Sequence, residues 1–157
     1  MTACFNCDQN AQLASLPIRD RVHAGAHWRI VHAWSALPGW LVVISRRHLL
    51  SLADQTPAEA ADLGLLLQAA SAALTEVVGC AKTYVIMYAE VAGFEHVHLH
   101  LVPRMPDLDP SYRGSGIFQL LKRPEAEWVP AEERDRLGML LSQEIARRLQ
   151  TVPPAPG

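Results

Sequence analysis

The chain has 157 residues, half of them apolar, which is enough to bury one sizeable core and too few for two ordinary domains. A net charge of −2 with acids and bases interspersed leaves no strong field of either sign, so neither a nucleic-acid polymer nor a membrane surface is an expected partner. No unbroken apolar run reaches the roughly 20 residues of a bilayer span, and Met1 to Cys7 lacks the basic and apolar regions of a signal peptide, so a cytoplasmic protein is expected.

A single domain over 1–151 and a disordered Pro-rich tail over 152–157 are expected. Cys4 to Ile18 reads as polar and irregular, with Cys4-x-x-Cys7 its one feature. Three cysteines make an odd count, and in a reducing compartment the close pair suits a metal clip better than a disulfide. Cys80 ends an apolar helical segment and suits a core position.

Two short strands are predicted at Arg21 to Ala24 and His27 to Val31 around a turn at Gly25, and a third at Trp40 to Ser45, whose unbroken apolar run implies burial on both faces. Thr56-Pro57-Ala58-Glu59 is a capping box with Pro in the first turn. The helix it opens carries apolar residues from Leu63 to Val77 at helical spacing and ends at Gly79. Thr83 to Ala89 is a β-rich strand that should pair antiparallel with the next one across Val91 to Phe94.

That next strand is His96-Val97-His98-Leu99-His100-Leu101-Val102-Pro103. A period of two would put His96, His98 and His100 on one face and Val97, Leu99 and Leu101 on the other. Imidazoles need hydrogen-bond partners or water and pack less well than Val or Ile, so three in alternation point to chemistry. A Pro-, Gly- and Asp-bearing stretch over 104–116 is too long for a tight turn and is a candidate functional loop. Ile117 to Leu121 reads as a short apolar element docking on the core. Pro130 opens a second amphipathic helix, with Leu137, Leu140, Leu141, Ile145 and Leu149 on one stripe and docked separately from the first. The expected fold class is α+β: an antiparallel sheet of about five strands with two main helices.

His96 to Val102 resembles the signature of the histidine triad (HIT) family, His-φ-His-φ-His-φ-φ with φ apolar, at every position. Pro38 to His48 is similar to that family's upstream strand with its basic pair and terminal His. The resemblance implies a HIT-like fold and a hydrolase or nucleotidyl transferase acting at the α-phosphate of a nucleotide-like substrate, such as a dinucleoside polyphosphate, nucleoside phosphoramidate or nucleotide sugar. It implies His98 as the nucleophile that becomes nucleotidylated, His100 as a phosphate or leaving-group contact, His96 orienting through its carbonyl, and a homodimer. A neutral imidazole suits the first role, because it attacks phosphorus readily and forms a labile phosphoramidate that water resolves.

Cys4, Cys7, His48 and His96 form a second constellation: two thiolates three apart and two distant imidazoles would close a tetrahedral site with no open position, the mark of structural zinc. Zinc-bearing branches of the family and related uridylyltransferases look similar here. Two features depart from the family pattern. Gly93 stands where a phosphate-binding Ser or Thr is usual, leaving a backbone amide as the phosphate donor. Between Arg21 and Ala53 no Asp or Glu is present to take the ribose hydroxyls. Trp34 and Trp40 are core or stacking candidates, His23, His27 and His32 read as surface or half-buried strand residues, and Arg104 and Arg113 are candidate phosphate contacts beside the solvated pair Arg46 and Arg47. Two other readings stay open: a nucleotide-binding module with little turnover, and a metal-dependent hydrolase using all three histidines.

Overall fold

The computed structural model describes residues 4–151, so the tail expected over 152–157 lies outside the described residues. In chain order the elements are α1 (Phe5–Ala11), β1 (His23–Ala24), β2 (Trp28–His32), β3 (Leu41–Ser45), α2 (Pro57–Val78), β4 (Lys82–Ile86), β5 (His98–Arg104) and α3 (Ala131–Gln150). The five strands form one antiparallel sheet in the order β1-β2-β3-β5-β4. The fold class is α+β, as its sequence implies.

All five residues of β3 are buried, because the central strand is covered on both faces. Leu41 and Val43 face α2 and α3 in a core with Trp28, Ile30, Leu66, Leu74, Leu99, Leu101, Leu141 and Ile145. Val42 and Ile44 face the other way, toward Trp40, Val102 and Ile117. Full burial of Leu66 and Leu74 contributes roughly 1.5–3 kcal/mol each.

The capping box of α2 is formed in both directions: Glu59 N–H donates to the Thr56 hydroxyl at 3.2 Å, and Thr56 N–H donates to the Glu59 carboxylate at 2.7 Å. Gly79 closes the helix in the left-handed region at φ 70°, where a side chain would be strained. At 22 residues α2 is long and apolar enough to cross a bilayer by length and composition, although no unbroken apolar run within it reaches that length. Here its apolar stripe, Leu63, Leu66, Ala70, Ala73 and Leu74, is taken up by the sheet and α3.

Three expectations need correction. The N-terminal stretch is not irregular: residues 5–11 form α1, a helix too short to persist alone. It is tied down by Phe5 N–H on the Gly93 carbonyl and by the Asn10 amide on the Ser45 and Arg46 carbonyls. Helix α3 does not dock separately but packs along α2 in the same core, where small side chains at Ala69, Ala70 and Ala73 are buried, while Leu140 faces outward. Finally, β4 ends at Ile86 and β5 begins at His98, so the connection is longer than Val91 to Phe94. His96 and Val97 are drawn instead to the end of β3: Ser45 N–H donates to the Val97 carbonyl and Val97 N–H to the Leu49 carbonyl.

After β5 the chain makes short 3-10 turns, including Gly114–Leu120, and covers the sheet face opposite α2 and α3. Ile117 is fully buried there, as expected of a docking element. The cover is stitched on by Ala36 N–H to the Leu120 carbonyl and Val129 N–H to the Ser35 carbonyl.

Candidate active site and metal centre

The strand register places His98 opposite Ile44, itself opposite Arg29, and His100 opposite Val42, itself opposite Val31. These side chains therefore share the face away from α2 and α3, where they line a pocket of about 210 Å³. Its other walls come from α1 (Phe5, Asn6, Gln9), from Asp20, and from Trp34, Phe94 and Leu121.

His98 Nδ1 lies 2.7 Å from the His96 carbonyl oxygen. A carbonyl only accepts, so Nδ1 carries a proton and, in the neutral ring, the lone pair is on Nε2. His100 is fixed with the opposite polarity. The buried indole of Trp40 donates Nε1–H to His100 Nδ1 at 3.1 Å, and Phe118 stands edge-on to both rings, 5.7 Å from Trp40 and 5.4 Å from His100. Burial, helped by the neighbouring His98, pushes His100 down to about 4, so its ring is neutral near pH 7.

His96 does not share that face. It is fully buried and precedes β5, so the expectation of three imidazoles in line fails at its first member. Its Nε2–H donates to the Ser45 carbonyl at 2.7 Å, and its Nδ1 turns to the N-terminus, 3.5 Å from Cys4 Sγ, 3.6 Å from Cys7 Sγ and 3.2 Å from His48 Nδ1. Cys7 Sγ lies 3.3 Å from His48 Nδ1, and the four donor atoms are all within 4.8 Å of one another.

A tetrahedral zinc with bonds of about 2.3 Å to sulfur and about 2.0–2.1 Å to nitrogen would hold two nitrogens about 3.3 Å apart and sulfur about 3.6 Å from nitrogen. The four separations from His96 and between Cys7 and His48 match a metal of that size to within about 0.3 Å, and the Ser45 carbonyl fixes the tautomer a ligating His96 needs. Burial and the adjacent Cys4 side chain push the Cys7 thiol up to about 11, a direction that a cation bound between the sulfurs would reverse. When bound, such an ion supplies a cross-link from α1 to the ends of β3 and β5.

Other predicted residues are distributed as follows. Gly93 sits beside the pocket, in the left-handed region at φ 82°, with its carbonyl on Phe5 N–H; Phe94 rather than Gly93 lines the wall. Arg104 and Arg113 are not among the lining residues. Arg46 donates to the Gly25 carbonyl, and Arg47 makes a bidentate pair with Glu59, so both are structural. His32 is not a surface residue: it is buried, its Nδ1–H donates to the Ala33 carbonyl, and its Nε2 accepts from Gly39 N–H. Trp34 is 44% exposed at the pocket mouth, edge-on to Phe5 and stacked on Trp128 at 6.5 Å.

The sequence reading missed Asp20 and Arg29. Asp20 lies one position before the stretch that has no acid, and its pocket-lining place comes from the turn Ile18–Asp20 packing on β2. Arg29 is fully buried in β2, where its Nε–H donates to Asn10 Oδ1 at 2.6 Å and a terminal N–H donates to the Asp20 carbonyl at 3.2 Å. Burial pushes its guanidinium down to about 10, still cationic at neutral pH. An arginine between Trp28 and Ile30 in an otherwise apolar strand was the available signal.

A histidine pair facing a pocket beside a Cys/His cluster that could hold a metal, on an α+β fold, is the arrangement that the comparisons with known proteins bear on. The HIT domain pattern matches residues 26–107, just over half of the chain, and the protein belongs to the HIT family. Among solved structures it is similar to a zinc-bound histidine triad family protein from Mycobacterium smegmatis, at 21% identity and TM-score 0.65, covering 92% of this chain and 94% of that one. It is also similar to a hypothetical histidine triad nucleotide-binding protein from Sulfolobus tokodaii, at 14% identity and TM-score 0.69, covering 98% and 99%. A uridylyltransferase aligns at 16% identity and TM-score 0.61, over 92% of this chain and 46% of that one. No curated protein sequence matches the chain.

Proposed function

We propose that the protein is a hydrolase or nucleotidyl transferase acting at the α-phosphate of a nucleotide-like substrate, with His98 as the nucleophile. The observation that carries the reading is the 2.7 Å hydrogen bond from His98 Nδ1–H to the His96 carbonyl, which puts the lone pair of the neutral ring on Nε2, on the pocket side of β5. In the first step Nε2 attacks the α-phosphorus, the bond to the leaving group breaks, and the positive charge on the ring is stabilised by that carbonyl. In the second step water attacks, the P–N bond breaks and its electron pair returns to Nε2. His100 contacts the phosphoryl oxygens, and the Gly93 amide remains a candidate donor to them. Membership of the HIT family and the likeness to a nucleotide-binding protein and a uridylyltransferase support this substrate class.

Cys4, Cys7, His48 and His96 are read as a structural zinc site. Because His96 Nδ1 faces the thiols, it is not available with His98 and His100 for a three-histidine metal hydrolase, which disfavours that alternative. We read the chain as a homodimer on its family resemblance; Val85, 49% exposed on the edge strand β4, is consistent with this, and analytical ultracentrifugation tests it.

The test of the chemistry is mass spectrometry with adenylated and guanylated substrates after denaturation in alkali, which preserves the P–N bond that acid cleaves. A nucleotidyl adduct on His98, absent in His98→Asn, supports the reading. Tight nucleotide binding with neither adduct nor turnover would leave a binding module instead.

A further inference from the structure

Among the Trp, Ile and Val side chains of β2 stands one charge, Arg29, which is 1% exposed and lines the pocket. Taking a guanidinium out of water is costly unless its five N–H groups find acceptors. Nε–H is taken by Asn10 Oδ1 at 2.6 Å and one Nη1–H by the Asp20 carbonyl at 3.2 Å. Nη2 has no partner among the described residues. The enclosed side-chain nitrogens without a partner belong to Gln55 and Arg134, so Arg29 Nη2 meets open space, and the open space that Arg29 lines is the pocket.

Two neighbours share this end of the pocket. Asn6 of α1 is 4% exposed and lines it with no side-chain hydrogen bond among the described residues. Asp20 lines it too, and its carboxyl is the one acid on the wall. Burial pushes that carboxyl up from its ordinary value, while Arg19, Arg134 and Arg29 pull it back.

The register decides which part of a ligand meets Arg29. It stands in line with Ile44 and His98, two strand spacings or roughly 9–10 Å from His98 across the sheet. The surface between is apolar: Val31, Val42 and Ile44 form the floor, with Phe5 and Phe94 on the walls. Strand β4, on the far side of β5, contributes no lining residue. Such a surface excludes a phosphate chain and suits the faces of a flat ring, so a nucleotide with its α-phosphorus at His98 lays its base toward Arg29.

We propose that Arg29 and Asp20 are specificity-determining residues that select a 6-oxopurine base, guanine above all, at the end of the pocket remote from phosphorus. The selection rests on the reading above of a nucleotide-like ligand and is independent of the chemistry at His98. Guanine presents along one edge the O6 acceptor, then the N1–H and N2–H donors. O6 accepts from Arg29 Nη2–H, and the Asp20 carboxylate accepts from N1–H and N2–H. Both contacts are strengthened by the protein's charges and by the low-dielectric surroundings. Adenine in the same seat turns an amine toward the guanidinium and a lone pair toward the carboxylate, so donor meets donor and acceptor meets acceptor. Hypoxanthine keeps O6 and N1–H and lacks only the second donor. Uracil has a carbonyl where guanine has its amine, and that carbonyl faces the carboxylate.

The test is calorimetry of the full-length, zinc-loaded protein with GMP, IMP, AMP and UMP. GMP is expected to bind at least about 30-fold more tightly than AMP and UMP, with IMP in between. Asp20→Ala keeps the backbone carbonyl that Arg29 holds and should bring GMP and IMP within about threefold of each other. Arg29→Met should abolish the preference of GMP and IMP over AMP. Because Arg29 also ties α1 through Asn10, guanidinium nitrogen NMR of the wild type supplies a readout that needs no variant: the Arg29 Nη signals should shift with GMP and IMP and not with AMP. AMP or UMP within about threefold of GMP would overturn the selection, as would Arg29 signals blind to GMP or a preference that persists in folded Arg29→Met. IMP equal to GMP in the wild type would overturn the part given to Asp20. No binding of any of the four would overturn the nucleotide reading and the base selection together. A His98 adduct formed equally well from adenylated and guanylated substrates would overturn the selection alone.

Discussion

His96 and His98 are two residues apart and each gives one ring proton to a backbone carbonyl, but with opposite nitrogens. His96 uses Nε2–H on Ser45 and turns Nδ1 to the Cys4/Cys7 cluster; His98 uses Nδ1–H on His96 and turns Nε2 to the pocket. The residue type is the same, and the carbonyl that each ring meets decides whether the free nitrogen suits a metal or phosphorus. The two ends are also linked. Helix α1 begins at the Cys/His cluster, and its Phe5, Asn6 and Gln9 form one wall of the pocket.

The largest effect expected from breaking this pairing is at His98. His98→Asn should lower kcat/KM at least about 1000-fold in a steady-state assay, while metal analysis still finds about one zinc per chain. Loss of the metal as well would mean that the two rings do not divide the work. Next in size is Cys7→Ala, or chelation of the wild type, which should remove the zinc, loosen α1 and weaken nucleotide binding at least about tenfold by calorimetry. Unchanged affinity would show that the α1 wall does not contact the ligand.

A smaller effect sharpens the comparison by leaving both ends alone. The Arg47 guanidinium and the Thr56 amide hold the Glu59 carboxyl down at about 2. Glu59 is depressed below its ordinary value of 4.5, so its contribution is complete above that value and is lost as pH falls through about 2. Glu59→Gln should cost about 1 kcal/mol at neutral pH by denaturant titration and flatten the acid limb over that window, with kcat and zinc content unchanged.

The elements legible in the sequence were those set by local rules. The capping box and Gly79 bound α2, the apolar run of Trp40 to Ser45 marked the strand covered on both faces, and all four cluster residues could be named. Alternation misassigned His96 because a period of two holds only where a strand is paired on the sheet, and Ser45 and Leu49 hold the backbone of Val97 elsewhere. His32 read as surface or half-buried because its partners, the Ala33 carbonyl and the Gly39 amide, become acceptor and donor only once the 33–40 turn forms. Asp20, Arg29 and Phe118 reach the site through contacts between distant segments, which no local pattern encodes. Trp40 was visible as an aromatic candidate, but its role depends on one donated hydrogen across 60 positions.

The division between the two ends is tested most directly by X-ray absorption at the zinc edge, on wild type and His98→Asn. The account predicts the same shell in both, two sulfurs at about 2.3 Å and two imidazole nitrogens at about 2.0–2.1 Å, with no oxygen. A third imidazole in the wild-type shell that disappears in His98→Asn would contradict it.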